Sequence, residues 1–207
     1  MKKFRFLISS GPTQEPLDPV RFISNYSTGV MGKCLNDAAK KRGHRVTWVQ
    51  SPKDAQTALQ LQKKLTGLLP KHDALIMASA VADARPVVFS HGKIKKARLK
   101  NIRLVKNPDI LAILSKKKKK TQVFVGFALE TKNPFQNALK KLKNKRLEAI
   151  VLQKVTEKTK PFGNRSIGAV VVEDKTHFTD FKSISKTKLA DFLVRRTEEF
   201  LLSKSRD

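Results

Sequence analysis

Phe4-Arg5-Phe6-Leu7-Ile8-Ser9 opens a unit that continues through a Gly/Pro/polar stretch to a helical pattern over about 29–42, and closes on Arg45-Val46-Thr47-Trp48-Val49-Gln50. Two short runs rich in β-branched and aromatic residues, separated by one amphipathic span, are the repeating unit of a parallel sheet. Working outward, the alternation continues. A helical stretch over about 54–69 leads to a strand at 73–79. A short helix at 110–116 precedes a strand at 122–129, and a helix at 134–145 precedes a strand at 149–153. Mostly apolar strands imply a sheet covered on both faces. The expected class is α/β: a Rossmann-like, three-layer, mostly parallel sheet with helices on both faces.

Two segments depart from the alternation. From about 81 to 105 no crossover helix is evident; Arg85-Pro86, Gly92 and a run of basic residues read as a long loop or flap, and such segments in compact domains are usually functional or disordered. Near the end, 167–172, a turn around 173–175 and 177–181 read as a C-terminal antiparallel hairpin, followed by an amphipathic helix over about 186–202. With no internal repeat and no linker, 1–207 is expected to be a single domain.

Composition narrows the function classes. The 207 residues carry 44 Lys and Arg against 17 Asp and Glu, a formal charge of +27, and 40% are hydrophobic, enough for a substantial core. One cysteine, Cys34, excludes an intramolecular disulfide framework. No apolar run reaches the roughly 20 residues of a membrane-spanning helix. The apolar start ends at Gly11-Pro12-Thr13 without a small-residue cleavage site, so it reads as a first strand and not a signal peptide, and a cytoplasmic protein is expected. The charge first suggests nucleic acid. No zinc-finger spacing, basic zipper or aromatic RNP stripe accompanies it, and the run Lys116 to Lys120 falls where a solvated helix end belongs. A solvated basic surface therefore ranks above dedicated nucleic-acid binding; a small polyanionic substrate such as a nucleoside triphosphate is a second use for the charge. The four histidines are scattered, and there is no H-E-x-x-H, C-x-x-C or G-x-S-x-G.

Five segments could carry chemistry. The loop from Gly11 to Arg21 follows strand one, on the side where ligands bind in open α/β sheets, although Asp18 and Arg21 also suit an internal ion pair in a rigid turn. Asn25-Tyr26-Ser27-Thr28-Gly29 leads into a helix through Met31-Gly32; Ser27 or Thr28 can cap it, and its free N–H groups suit either a phosphate or an ordinary capped start. Neither G-x-G-x-x-G nor a P-loop is present, which disfavours a dinucleotide oxidoreductase. Ser79-Ala80-Val81-Ala82-Asp83 ends strand three with small residues that admit a planar base, and Asp83 can accept from a base amino group. It leads to the flap lysines Lys93, Lys95 and Lys96, which can close over phosphates or simply be solvated. Asn107-Pro108-Asp109 is explained by a helix start alone. Phe127 lies near a strand end where a base can stack, and Lys141 and Lys145, four apart, share a helix face that reads equally as solvated.

Together these segments resemble the phosphopantothenoylcysteine synthetases, the ligases of coenzyme A biosynthesis. The matches are Ile8 to Thr13, Glu15-Pro16, Asp18 to Ile23, Asn25 to Gly29 with Met31-Gly32, Ala80 to Asp83, Lys93 to Lys96, Val105 to Leu111 and Val125 to Thr131, in the family's order over roughly residues 4–172. The resemblance implies that the carboxylate of 4′-phosphopantothenate attacks the α-phosphate of CTP, giving an acyl-cytidylate and pyrophosphate. L-cysteine then displaces CMP to form the amide, with Mg2+ carried on the triphosphate and no protein metal ligand. Carried over by position, Met77, Ala78 and Ser79 line the cytosine, with Ser79 where the family commonly has Ala. Asp83 reads the base or its sugar neighbourhood, and Lys93 assists activation. Pro108, Asp109, Ile110 and Leu111 meet the triphosphate, Phe127 lies against the nucleotide, Lys141 and Lys145 hold phosphates, and Asn25 orients the acyl-phosphate. The resemblance further implies a homodimer, with the flap closing over the neighbouring subunit's site. In many bacteria this domain is the C-terminal half of a bifunctional flavoprotein. With no decarboxylase half before Met1, a stand-alone synthetase without flavin is expected, which a separate decarboxylase could accompany. Bacterial-type members prefer CTP and eukaryotic ones ATP; the context of Lys93 to Lys96 and of Asn107-Pro108-Asp109 resembles the former. Tyr26 and Thr28 depart from the family's usual choices, and the loop Asn164 to Ser166 is assigned no role.

Overall fold

A computed structural model describes residues 2–154 and 162–205. Its elements, in chain order, are β1 (Arg5–Pro12), β2 (Gln14–Pro16), β3 (Phe22–Ser24), α1 (Val30–Lys41), β4 (Arg45–Gln50), α2 (Ala58–Leu68), β5 (Ala74–Ala80), β6 (Ala84–Pro86), β7 (Leu104–Lys106), α3 (Ile110–Lys116), β8 (Val123–Glu130), α4 (Pro134–Asn144), β9 (Ala149–Lys154), β10 (Ile167–Val172), β11 (Phe178–Ile184) and α5 (Lys186–Ser203). A seven-stranded sheet runs β11-β10-β9-β8-β5-β1-β4. Its β4, β1, β5, β8 and β9 are parallel, and β10 and β11 add the expected antiparallel hairpin. The α/β, Rossmann-like class read from the alternation is the one observed.

The order matters for function. The chain leaves β1 for β4 on one side and later passes back to β5 on the other. The connections therefore diverge above the carboxyl ends of β1 and β5, and a crevice opens at such a reversal in doubly wound sheets. There Gly11 pairs with Ser79 and Pro12 with Ala80.

Strand alternation supplies the two buried faces. Phe6 and Ile8 of β1 point with Ile76, Val125 and Val151 into a core closed by α1 and α5 through Leu35, Leu189 and Leu193. Leu7 between them joins Leu75, Phe124 and Ile150 in a second core, closed by α2, α3 and α4 through Leu61, Leu65, Leu114 and Ala138. A polar knot ties the α1 side together. Glu198 accepts from Arg42 Nε at 2.7 Å and Nη2 at 2.6 Å, and pairs with the Nε2 of His44, whose Nδ1 accepts from Phe4 N.

Local details move from the expected positions for identifiable reasons. The second helix begins at Ala58, not near 54, because Thr57 and Gln60 form a reciprocal capping box there. Glu15 is buried, and its Oε1 accepts from Ala58 N at 2.8 Å, so this loop carboxylate serves the start of α2. The flap is more ordered than a plain loop: β6 and β7 pair antiparallel, and a 3-10 turn spans Lys96–Lys100.

Candidate active site

The site is built where β1, β5 and β8 end. Gly11 has φ of 82°, and a Cβ on it would stand 2.1 Å from the carbonyl oxygen of Ser51. At Gly32 a Cβ would fall 2.0 Å from that of Ser10. The two glycines let the first turn of α1 and the 51 turn close onto the end of β1; any side chain would drive them apart. Neither Ser27 nor Thr28 caps α1 as expected. The N-cap is Gly29, at φ 73° and with no side-chain cap, and Gly29 N itself donates to Ser27 Oγ at 3.4 Å. The left-handed turn at Gly29 supplies the entry geometry that a capping side chain would otherwise favour.

The end of β5 is held from both sides. Asn25 Nδ2 donates to Val81 O at 3.0 Å and Ala80 O at 3.4 Å. Thr13 Oγ1 accepts from Ala82 N at 2.9 Å, and Asn107 Nδ2 donates to Ala82 O at 2.8 Å. Asn25 thus commits its amide donors to the main chain and keeps Oδ1 for a ligand. The start of α3 differs from the expected Asn107-Pro108 boundary: Asp109 is the N-cap and accepts from Ala112 N, while Asn107 braces β5 instead.

Three adjoining clefts surround this edge. One of about 460 Å³ is lined by Asn25, Ala78, Ser79, Asp83, Phe127 and Lys141, among others. A second, about 260 Å³, shares Ser79, Asp83 and Phe127 with it and adds Met77, Pro108, Asp109, Ile110, Leu111 and Lys145. A third, about 550 Å³, contains Asp109, Lys141 and Lys145 and so touches both. Every residue expected at the site except Lys93 lines at least one of the three. Lys93 is exposed on the flap and lines none of them, so a single chain does not bring it to the other residues.

Lys141 and Lys145, the lysines expected to hold phosphates, have carboxylate partners. Lys141 Nζ lies 2.6 Å from Glu130 Oε1, and Lys145 Nζ lies 2.8 Å from Asp109 Oδ2. Burial opposes the charge on Glu130, but donors from Lys141 and Asn137 prevail and hold its carboxyl below the ordinary glutamate range. Among the described residues no group of three or more His, Cys, Asp or Glu could hold a metal ion.

The first cleft also holds Tyr26 and Ser27 from the segment before α1, together with Gln153, Phe162 and Lys186, which no motif marks. Tyr26 and Phe162 approach with ring centroids 6.2 Å apart, so Phe162, just before the Asn164–Ser166 loop, helps wall the site. Lys186, at the first turn of α5, is buried, donates to Gly163 O at 2.6 Å, and has its pKa pushed down by that burial. Nothing local distinguishes it from the other lysines of so basic a chain. Cys34 packs against the α1–α5 core, as a small apolar residue would.

Comparison with known proteins agrees with this architecture. Residues 1–201 match the family model described as DNA/pantothenate metabolism flavoprotein C-terminal domain. A "Cysteine/Cysteine sulfinic acid decarboxylase" of an unknown prokaryotic organism is 38% identical over 93% of this chain and 57% of its own length. The "Coenzyme A biosynthesis bifunctional protein CoaBC" of Borreliella burgdorferi is 33% identical over 94% of this chain and 52% of its own. The chain thus spans little more than half the length of these relatives. Among solved structures, the C-terminal domain of a coenzyme A biosynthesis bifunctional protein CoaBC superposes with a TM-score of 0.79 at 27% identity, covering 98% of both chains. A Cab2 mutant in complex with phosphopantothenate-cysteine gives 0.68 at 16% identity, covering 99% of this chain and 89% of that one, and speaks to the fold alone. No helix among the described residues is long and apolar enough to cross a membrane.

Proposed function

The chain belongs to the family of DNA/pantothenate metabolism flavoprotein C-terminal domains, and from that premise we propose that it is a phosphopantothenate–cysteine ligase of coenzyme A biosynthesis. It joins 4′-phosphopantothenate to L-cysteine in two steps, with CTP cleaved to CMP and pyrophosphate. The observation that carries this reading is convergence: residues from segments as distant as Asn25, Asp83, Asp109, Phe127 and Lys145 meet in adjoining clefts at the carboxyl edge of the sheet.

The chemistry asks little covalent work of the protein. A free carboxylate is a poor acylating agent; joined to CMP it acquires a good leaving group. Catalysis then amounts to positioning and charge neutralisation at phosphorus. Met77 to Ser79 flank the base, Asp83 accepts from the base or its sugar neighbourhood, and Phe127 presents a face to the nucleotide. Lys141 and Lys145 exchange carboxylate partners for phosphate oxygens, and the main chain of Pro108 to Leu111 closes that end. Asn25 Oδ1 orients the acyl-phosphate for the attacking amine. A magnesium ion on the triphosphate would neutralise further charge.

Lys93 acts from a second copy of the chain. Supporting this, the flap and the β2–β3 hairpin beside it expose Phe22, Val87, Val88, Phe89 and Leu104, an apolar surface of the kind a twofold partner covers.

The test is pyrophosphate release from CTP, first with 4′-phosphopantothenate alone and then with cysteine added, with ATP run in parallel. Pyrophosphate should appear before cysteine is added and the amide only afterwards. Absence of turnover with both nucleotides overturns the assignment; turnover with ATP alone corrects only the base.

A further inference from the structure

The flap is anchored at two points, one on each side of Lys93. Upstream, Ser90 N donates to Leu17 O at 3.0 Å. Downstream, Ile94 is gripped through both main-chain groups: its N–H donates to Asp18 Oδ2 at 3.1 Å, and its carbonyl accepts from Arg21 Nη2 at 2.7 Å. Both anchors belong to the turn between β2 and β3.

The Asp18 side chain is fully buried, and its two oxygens accept from five donors. Oδ1 takes Val20 N at 2.8 Å and Arg21 N at 2.9 Å; Oδ2 takes Arg21 Nε at 3.0 Å, Arg21 Nη2 at 2.5 Å and Ile94 N. A turn needs only the first two. A carboxylate removed from water at a surface turn carries a desolvation cost, and the forked guanidinium that neutralises it is shared with a residue more than seventy positions away.

We propose that Asp18 and Arg21 are positioning residues for Lys93: they clamp Ile94 from both sides and so fix where the flap presents the preceding lysine. The part concerning catalysis rests on the ligase reading; the clamp itself does not. Local turn geometry accounts for the Asp18–Arg21 pair but not for its engagement of both main-chain groups of Ile94. A lysine on an unanchored loop would sample many positions and assist activation in few of them.

The experiment uses the full chain and the Asp18→Asn variant, whose side chain can still accept from Val20 N and Arg21 N through Oδ1. Amide hydrogen exchange at Ile94 should accelerate at least about tenfold while amides of β1 keep their protection. Pyrophosphate release with 4′-phosphopantothenate should lose about tenfold or more in kcat, with KM for the nucleotide changing less than about threefold. Arg21→Lys, which keeps the charge but not the fork, should fall on the same side. Unchanged exchange at Ile94 in Asp18→Asn overturns the clamp whatever the enzyme does. Faster exchange with wild-type kcat overturns the positioning role. If the wild-type chain turns over neither CTP nor ATP, the ligase reading and with it the role assigned to Lys93 fail, and the exchange result still decides the clamp. Global loss of protection in Asp18→Asn would make the pair a folding determinant and overturn the proposal, unless Arg21→Lys shows the selective loss at Ile94.

Discussion

The ammonium of Lys141 sits 2.6 Å from Oε1 of Glu130, at the border between two clefts. On the proposed reading a phosphate competes with that carboxylate for a side chain that is already oriented. Replacing Lys141 by Ala should raise KM for the nucleotide by roughly tenfold to a hundredfold, the value of one or two charge-assisted hydrogen bonds. KM for cysteine should stay near wild type in steady-state assays with the other substrates saturating. The lysine is 41% exposed, so thermal stability should hardly move.

The role proposed for Asn25 predicts that its replacement separates the two half-reactions. In Asn25→Asp the donors to Ala80 O and Val81 O are lost and a carboxylate faces two carbonyls. Pyrophosphate release should persist while amide formation slows by roughly two orders of magnitude, the scale for removing one preorganised polar contact. Rapid-quench chromatography should find an acyl-nucleotide that outlives cysteine addition. Normal amide formation would remove the role.

Lys93→Gln should abolish activation while changing stability by less than about 0.5 kcal/mol, because the side chain is exposed. Action across a twofold makes a sharper prediction. Mixing Lys93→Gln with Asn25→Asp chains after subunit exchange should restore about a quarter of wild-type turnover, since half the dimers are mixed and each has one intact site. No restoration, with exchange verified by mass spectrometry, would place Lys93 in its own chain's chemistry or outside it altogether.

Gly32→Ala tests the closeness of α1 to β1. The added Cβ meets Ser10 Cβ at 2.0 Å, and Ser10 Oγ is held by Trp48 Nε1 at 2.8 Å. Overpacking here should cost about 1–3 kcal/mol in urea unfolding. Nucleotide KM should rise as well, because the displaced turn borders the first cleft. Gly67→Ala is the control: its Cβ would meet nothing, and an alanine in the helix should be neutral or stabilising.

The knot at Glu198 predicts a pH dependence with a definite sign. Burial disfavours its charge, but Arg42 and His44 outweigh it and hold the carboxyl below the ordinary value of 4.5. A depressed carboxylate stabilises the fold fully above the unfolded value and loses that contribution as pH falls through the folded one. The stability gap between wild type and Glu198→Gln should therefore be about 3 kcal/mol at pH 7 and shrink once pH drops below 4.5. Urea midpoints across pH 3 to 7 measure it; a gap that widens toward acid contradicts the assignment.

The sequence alone determined the class of fold. Short, mostly apolar runs, the amphipathic spans between them and their turn residues are local signals, each read within a few neighbours, and β1, β5, β8 and the terminal hairpin stand close to where those signals put them. It also marked most of the residues that the clefts bring together, because an ordered set of short motifs survives on one chain. Tertiary structure decided the rest. Gly29 opens α1 in place of a hydroxyl cap, since the turn must fit against β1; Glu15 and Asn107 brace elements far along the chain; Lys186 and Phe162 join a cleft with no motif to announce them. The separation of Lys93 from its expected companions is of the same kind. The hydrogen bonds that Ile94 N donates to Asp18 and that Ile94 O accepts from Arg21 span more than seventy residues, and no local pattern encodes a contact whose partners meet only when the sheet has formed.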